Sequence, residues 1–261
     1  MYPEIQFGAF KFCTFNLLVG AGLVFWVCVA LRQLGRLGHS KQWNRMVQQA
    51  MPYSFIVAFF FACLSDAVFR WRQFRLDPSG VGMTFYGGLS GFVLFWWTFA
   101  RAHRMEFLPL LEVFLPPIAV AQAFGRVGCF LGGCCHGRPL APWCGIVPTA
   151  GSPAFSMYGD IPVFPVQLVE AVWLLCVGGV LLLTVRFGCR AAWYLILVGA
   201  GRFLFEFFRG DMRGAVFSGC PLSPAQCLSV AAVVCGTCLL VLRRRHLHGI
   251  MSSPAENWRR T

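Results

Sequence analysis

Long apolar runs separated by short polar breaks set the frame of this chain. The runs are Phe10–Leu31, Ala50–Phe69, Met83–Ala100, Phe107–Phe124, Val166–Val185, Ala191–Phe208 and Ser223–Leu242. Each comes close to the roughly 20 mostly apolar residues that a helix needs to cross the hydrocarbon core of a bilayer. The pattern predicts seven transmembrane helices, and hence an all-α, polytopic membrane protein. Pro109, Pro116 and Pro117 fall in the fourth run; membrane helices tolerate proline better than soluble ones do. One break is long. Gly125 to Pro165 is rich in glycine, proline and cysteine, which suggests an ordered extracytoplasmic insertion rather than a flexible tether. No repeat and no Gly/Ser linker divides the chain. A single membrane domain is expected over 1–245, with the insertion at about 125–165, followed by a basic tail over 246–261 that meets anionic headgroups.

Composition agrees with that frame: 57% of the residues are hydrophobic and 12% charged, which excludes an ordinary soluble domain. The formal charge of +12 would suggest nucleic acid in a soluble protein. Here the basic residues gather at span ends, where they orient the chain instead, and no nucleic-acid partner is expected. With an odd number of spans, one side receives 13 of the 22 lysines and arginines. This excess places the C-terminus in the cytoplasm and the N-terminus outside, although Arg70, Arg72 and Arg75 run against it locally. Met1–Ala9 lacks the basic start of a cleavable signal, so the first span is expected to remain. Of 13 cysteines, Cys13, Cys28, Cys63, Cys176, Cys227, Cys235 and Cys238 lie in spans, where cysteine acts as a small apolar residue. Cys129, Cys134, Cys135, Cys144 and Cys220 are expected on the oxidising side, where disulfides persist.

Charges inside the spans are the candidate chemistry. Arg202, Glu206 and Arg209 stand four and three residues apart, which puts all three on one helix face. Burying them costs a few kcal/mol each even on lenient insertion scales, so such groups mark a substrate or ion path. Arg126 lies in the glycine-bearing segment Gly125-Arg126-Val127-Gly128-Cys129-Phe130. Glycine allows backbone N–H groups close to an anion and arginine offers a planar fork to phosphate oxygens. Gln167 and Glu170 open the fifth span, and Tyr86-Gly87-Gly88 lies near the outer end of the third. The bland alternatives are a snorkelling arginine, small-residue helix packing at Gly87 and Gly88, and an internal Arg–Glu–Arg network. Cys129, Cys134, Cys135 and His136 admit three readings: a zinc site, a disulfide to Cys144 or Cys220, or a nucleophilic cysteine carrying a lipid. Zinc has against it that Cys134 and Cys135 are adjacent and that these loop cysteines form no C-x-x-C pair.

Taken together and in this order, four segments resemble the phosphatidylglycerol–prolipoprotein diacylglyceryl transferases of bacteria. They are Tyr86-Gly87-Gly88, Gly125-Arg126-Val127-Gly128-Cys129-Phe130, Pro165-Val166-Gln167-Leu168-Val169-Glu170, and the run from Arg202-Phe203 through Glu206 to Arg209. Pro3-Glu4-Ile5 with Phe7-Gly8 is similar to the family's N-terminal arm. The chain departs from its pattern in three places: Tyr86 replaces a histidine, Cys129 an asparagine, and Cys134-Cys135-His136 fills the stretch of an Asn-x-Glu.

The resemblance implies transfer of a diacylglyceryl group from phosphatidylglycerol to the thiol of a prolipoprotein's lipobox cysteine, releasing glycerol phosphate. It implies Arg126 and Arg202 as stabilisers of the leaving phosphate, and His136, Tyr86 or Glu170 as the group that takes the thiol proton, with His136 preferred. Glu206, Arg209, Tyr86, Gly87, Gly88, Gly128, Cys129 and Gln167 are then expected to line the substrate site. Neither cofactor nor metal is required. The partners implied are phosphatidylglycerol, a prolipoprotein and the bilayer of a bacterial inner membrane. The alternatives are a non-enzymatic phospholipid-binding or transport protein, a lipid transferase with another acceptor, and a thiol–disulfide protein using the loop cysteines.

Overall fold

The computed structural model describes residues 4–7, 10–37, 39–69, 84–141, 145–210 and 222–251. Arg70, Arg72, Arg75, Cys144, Cys220 and the tail beyond Met251, all used above, lie outside them. A short antiparallel hairpin comes first, β1 (Glu4–Phe7) paired with β2 (Phe10–Cys13). Among the described residues eight helices follow: α1 (Thr14–Arg36), α2 (Lys41–Phe69), α3 (Phe85–Ala102), α4 (Phe107–Leu131), α5 (Pro153–Tyr158), α6 (Val166–Leu183), α7 (Arg190–Glu206) and α8 (Pro224–Met251). The seven long ones coincide with the seven apolar runs. Five of them, α1, α2, α4, α6 and α8, are long and apolar enough to cross a membrane. Helix α3 is diluted by glycine and tryptophan, and α7 is short and carries the buried charges. The expected multi-pass, all-α fold holds, with one hairpin added.

Boundaries move where hydropathy alone set them. The first helix starts at Thr14 because Phe10–Cys13 is taken by the hairpin. The fourth does not stop at Phe124 but runs on to Leu131, through Pro116 and Pro117. Arg126, Gly128 and Cys129 therefore sit on helix α4 and not in a loop.

The chain packs as two compact units, one of residues 28–114 and one of residues 1–27 with 115–261. In the first, α2 lies against α3 at small residues: a Cβ on Gly91 would come within 2.6 Å of the Phe61 Cβ. An aromatic stack of Phe92, Trp96 and Phe114 fills its interior, with Trp96 and Phe114 rings 4.5 Å apart and both buried. Gln33 donates to the Val113 carbonyl at 3.3 Å and ties α1 to α4. Ile56, Phe59 and Phe60 of α2 are exposed, as expected of side chains that face lipid rather than water.

In the second unit α7 packs between α6 and α8. Gly201 leaves room for the indole of Trp173, whose Nε1 donates to the Leu197 carbonyl at 3.2 Å. The segment after α4 is stitched down by backbone bonds. Gly137 N–H donates to Phe164 O at 3.1 Å, Phe164 N–H to Arg138 O at 3.0 Å, Arg138 N–H to Phe208 O at 3.0 Å, and Gly210 N–H to His136 O at 3.0 Å. A single turn, α5, is capped by Ser152, whose Oγ accepts from Phe155 N–H at 3.2 Å. The described part of the segment after α4, residues 132–141 and 145–165, lies against the end of α7.

Candidate active site

Three helix ends of this second unit bring the expected charges together. Arg126 comes from the last turns of α4, Gln167 and Glu170 from the first turns of α6, and Arg202 and Glu206 from the end of α7, with Arg209 just beyond it. Glu170 is the centre. Its Oε2 lies 2.6 Å from Arg126 Nε, and its Oε1 lies 2.9 Å from Arg202 Nη1 and 3.6 Å from Arg209 Nη1. Arg202 reaches both carboxylates, its Nη2 standing 2.9 Å from Glu206 Oε2. Arg209 Nε lies 3.9 Å from the same oxygen. The Glu170, Glu206 and Arg209 side chains are 4%, 6% and 2% exposed, Arg202 11% and Arg126 18%.

Charges so deeply buried are tolerated only when paired. Here, among the described residues, three guanidinium groups face two carboxylates, which leaves one positive charge over within this cluster. An anion entering beside Arg126, the most exposed of the three arginines, would neutralise it. Next to the charges, Gln167 Nε2 donates to the Cys134 carbonyl at 2.7 Å, while its Oε1 is buried with no hydrogen-bond partner among the described residues. That orphaned acceptor suits a hydroxyl donor.

The remaining expected residues divide. His136 is buried, with Nδ1 3.2 Å from the Gly137 carbonyl and its ring set edge-on to Tyr158 at 5.3 Å. Its backbone pairs with Gly210, beside Arg209, so the loop and the charged helix end meet there. Gly128 serves packing: a Cβ there would stand 3.0 Å from the Phe15 ring. Cys129 places its sulfur with those of Cys134 and Cys135, all three within 4.8 Å of one another. The Cys135 thiol is held well below the ordinary thiol range. Hydrogen bonds from Cys129 and Cys134 and then the positive charge of Arg209 and Arg126 outweigh its burial. Tyr86, Gly87 and Gly88 lie on α3 of the other unit. There Gly87 packs on Ser65 of α2, and Gly88 stands in contact with Ala58 and Ala62.

Sequence reasoning overlooked Ser223. Its Oγ donates to Glu206 Oε1 at 3.0 Å and fixes the carboxylate's second oxygen. Ser223 also accepts from Gln226 N–H at 3.2 Å, while Gln226 Oε1 accepts from Ser223 N–H at 2.9 Å. This reciprocal cap at the start of α8 was signalled by the Ser-Pro-Ala-Gln spacing. Tyr158 was overlooked as well; its hydroxyl donates to Gly210 O at 3.2 Å, and nothing in its sequence context marks it.

Known proteins resemble this chain over nearly its whole length. A family model described as prolipoprotein diacylglyceryl transferase matches residues 4–242. A phosphatidylglycerol–prolipoprotein diacylglyceryl transferase of Clostridium tetani is 32% identical over 62% of this chain and 64% of its own. A second, from Clostridium perfringens, is 28% identical over 88% of this chain and 90% of its own. One from Bacillus cereus strain Q1 is 30% identical over 92% and 91%. Helices, buried charges and sequence thus lead to one place: the chain belongs to the prolipoprotein diacylglyceryl transferase family.

Proposed function

We propose that this protein transfers the diacylglyceryl group of phosphatidylglycerol to the thiol of a prolipoprotein's lipobox cysteine, the first step of lipoprotein maturation. The acceptor sulfur attacks the glycerol carbon bonded to phosphate. A C–S bond forms, the C–O bond to phosphate breaks, and glycerol phosphate departs with the electron pair. Two difficulties must be met. The acceptor thiol, with an ordinary pKa of about 8.5, has to lose its proton, and the phosphate's growing charge needs stabilising in a place that excludes water.

The observation that carries this reading is the surplus positive charge of the buried arginine–glutamate cluster. Arg126 and Arg202 hold the phosphate, and Glu170 and Glu206 keep their forks in place, with Arg209 completing the cluster. The Gln167 Oε1 acceptor receives a hydroxyl of the lipid's terminal glycerol. His136 takes the thiol proton, with Glu170 as the alternative acceptor. The protein sits in a bacterial inner membrane with its N-terminus outside and its C-terminus in the cytoplasm. That orientation puts the helix ends bearing the charged cluster at the outer surface, where prolipoproteins arrive.

The test is direct. Purified protein is incubated with phosphatidylglycerol and a lipobox peptide, and glycerol phosphate release and the peptide's mass are followed. Arg126→Ala and Arg202→Ala are each expected to lose activity by about 10²-fold or more, the scale of a removed transition-state donor. His136→Ala is expected to lose activity by about 10²-fold or more, the scale of a removed general base. Lipid binding without turnover in the unaltered protein would favour the non-enzymatic reading, and near-normal turnover in both arginine variants would refute the phosphate role.

A further inference from the structure

The geometry points to a three-thiolate site, formed by Cys129, Cys134 and Cys135, for one soft metal ion of the filled-shell class that zinc(II), cadmium(II) and copper(I) represent. Their sulfurs converge within 4.8 Å of one another. Zinc–sulfur bonds of about 2.3 Å set sulfurs roughly 4 Å apart in a tetrahedral or trigonal site. Closing the cluster on an ion therefore needs side-chain shifts of about an ångström or less. A disulfide engages two sulfurs and gives no reason for a third to converge on them. Thiolates are the ligands that select ions of this class.

The scaffold is built in advance of any ion. Cys129 lies on the last turns of α4, and Cys134 N–H donates back to its carbonyl at 3.1 Å. Gln167 of α6 grips the Cys134 carbonyl at 2.7 Å. Cys135 is held at φ +56°, a left-handed conformation unusual for a residue with a side chain. This turn answers the objection that adjacent cysteines do not ligate one ion comfortably, because the backbone between Cys134 and Cys135 is already folded to bring both sulfurs to one point. All three residues are half-buried, so an ion can enter. His136 does not join them, since no imidazole nitrogen lies within the cluster's 4.8 Å, and a solvent molecule would complete a tetrahedron.

Charge favours the same conclusion. Three thiolates around a divalent ion carry one net negative charge, and the Arg126 guanidinium stands on α4 three residues before Cys129. The site does not depend on the transferase reading, because its test reads metal and not turnover.

Reduced protein in detergent, freed of reductant under anaerobic conditions, is titrated with cadmium(II). The near-ultraviolet thiolate-to-metal absorption is expected to rise and saturate at one equivalent. Cys129→Ser, Cys134→Ser and Cys135→Ser should each weaken binding at least tenfold, whereas Cys63→Ser and Cys176→Ser should not change it. X-ray absorption on the unaltered, zinc-loaded protein should count three sulfur neighbours, a result that needs no variant to fold. The site is refuted by absorption that never saturates at one equivalent, by two or fewer sulfurs, or by a band that survives all three serine substitutions. A disulfide between two of these cysteines in protein isolated from cells would refute it equally.

Discussion

Glu170 faces three guanidinium groups with one carboxylate, at 2.6, 2.9 and 3.6 Å, and is itself 4% exposed. Replacing it by glutamine keeps the shape and removes the charge, leaving three buried arginines against Glu206 alone. Breaking a buried pair from one side costs about 3–5 kcal/mol. Glu170→Gln is therefore expected to lower the thermal midpoint in detergent markedly and to reduce transfer by about 10²-fold or more. Tryptophan fluorescence on heating and the peptide assay measure the two effects. Much of this was readable in advance. The Arg202, Glu206 and Arg209 spacing declares a shared helix face, and Glu170 inside a span declares a partner. Which partner was not readable, because pairing between α4, α6 and α7 is a tertiary fact with no local signature. The convergence of Cys129 with Cys134 and Cys135 was hidden too, since it depends on the positive φ at Cys135.

Helices were legible as apolar runs, but their ends were not. Hydropathy falls at Gly125-Arg126, so the fourth run seemed to stop at Phe124; the helix continues to Leu131 because Arg126 is satisfied by Glu170 of a neighbouring helix. The hairpin at Phe10–Cys13 was lost in the other direction, its apolar residues reading as the start of a span. Small residues behave as helix-packing physics requires. Gly91 of α3 admits Phe61 of α2 so closely that any larger side chain must force the helices apart. Overpacking of this kind costs about 1–3 kcal/mol. Gly91→Leu is expected to lower the thermal midpoint and to leave α3 helical by circular dichroism; an unchanged midpoint would contradict the close packing.

At the scale of the whole molecule, five helices among the described residues are fit to cross a bilayer, and with exposed apolar side chains such as Ile56, Phe59 and Phe60 they make a multi-pass membrane protein. The proposed orientation rests on where lysine and arginine gather, 13 of 22 on one side. A phosphatase reporter fused after Thr261 is expected to be inactive and a fluorescent protein there bright; the reverse would invert the topology. The central claim is that separate helices deliver arginines to one phosphate. A double-mutant cycle on Arg126→Lys and Arg202→Lys measures it most directly, because lysine keeps the charge and loses the fork, so activity stays measurable. If both forks grip one phosphate, kcat/KM for phosphatidylglycerol in the double variant will depart from the product of the two single losses by threefold or more. Losses that simply multiply would contradict a shared phosphate.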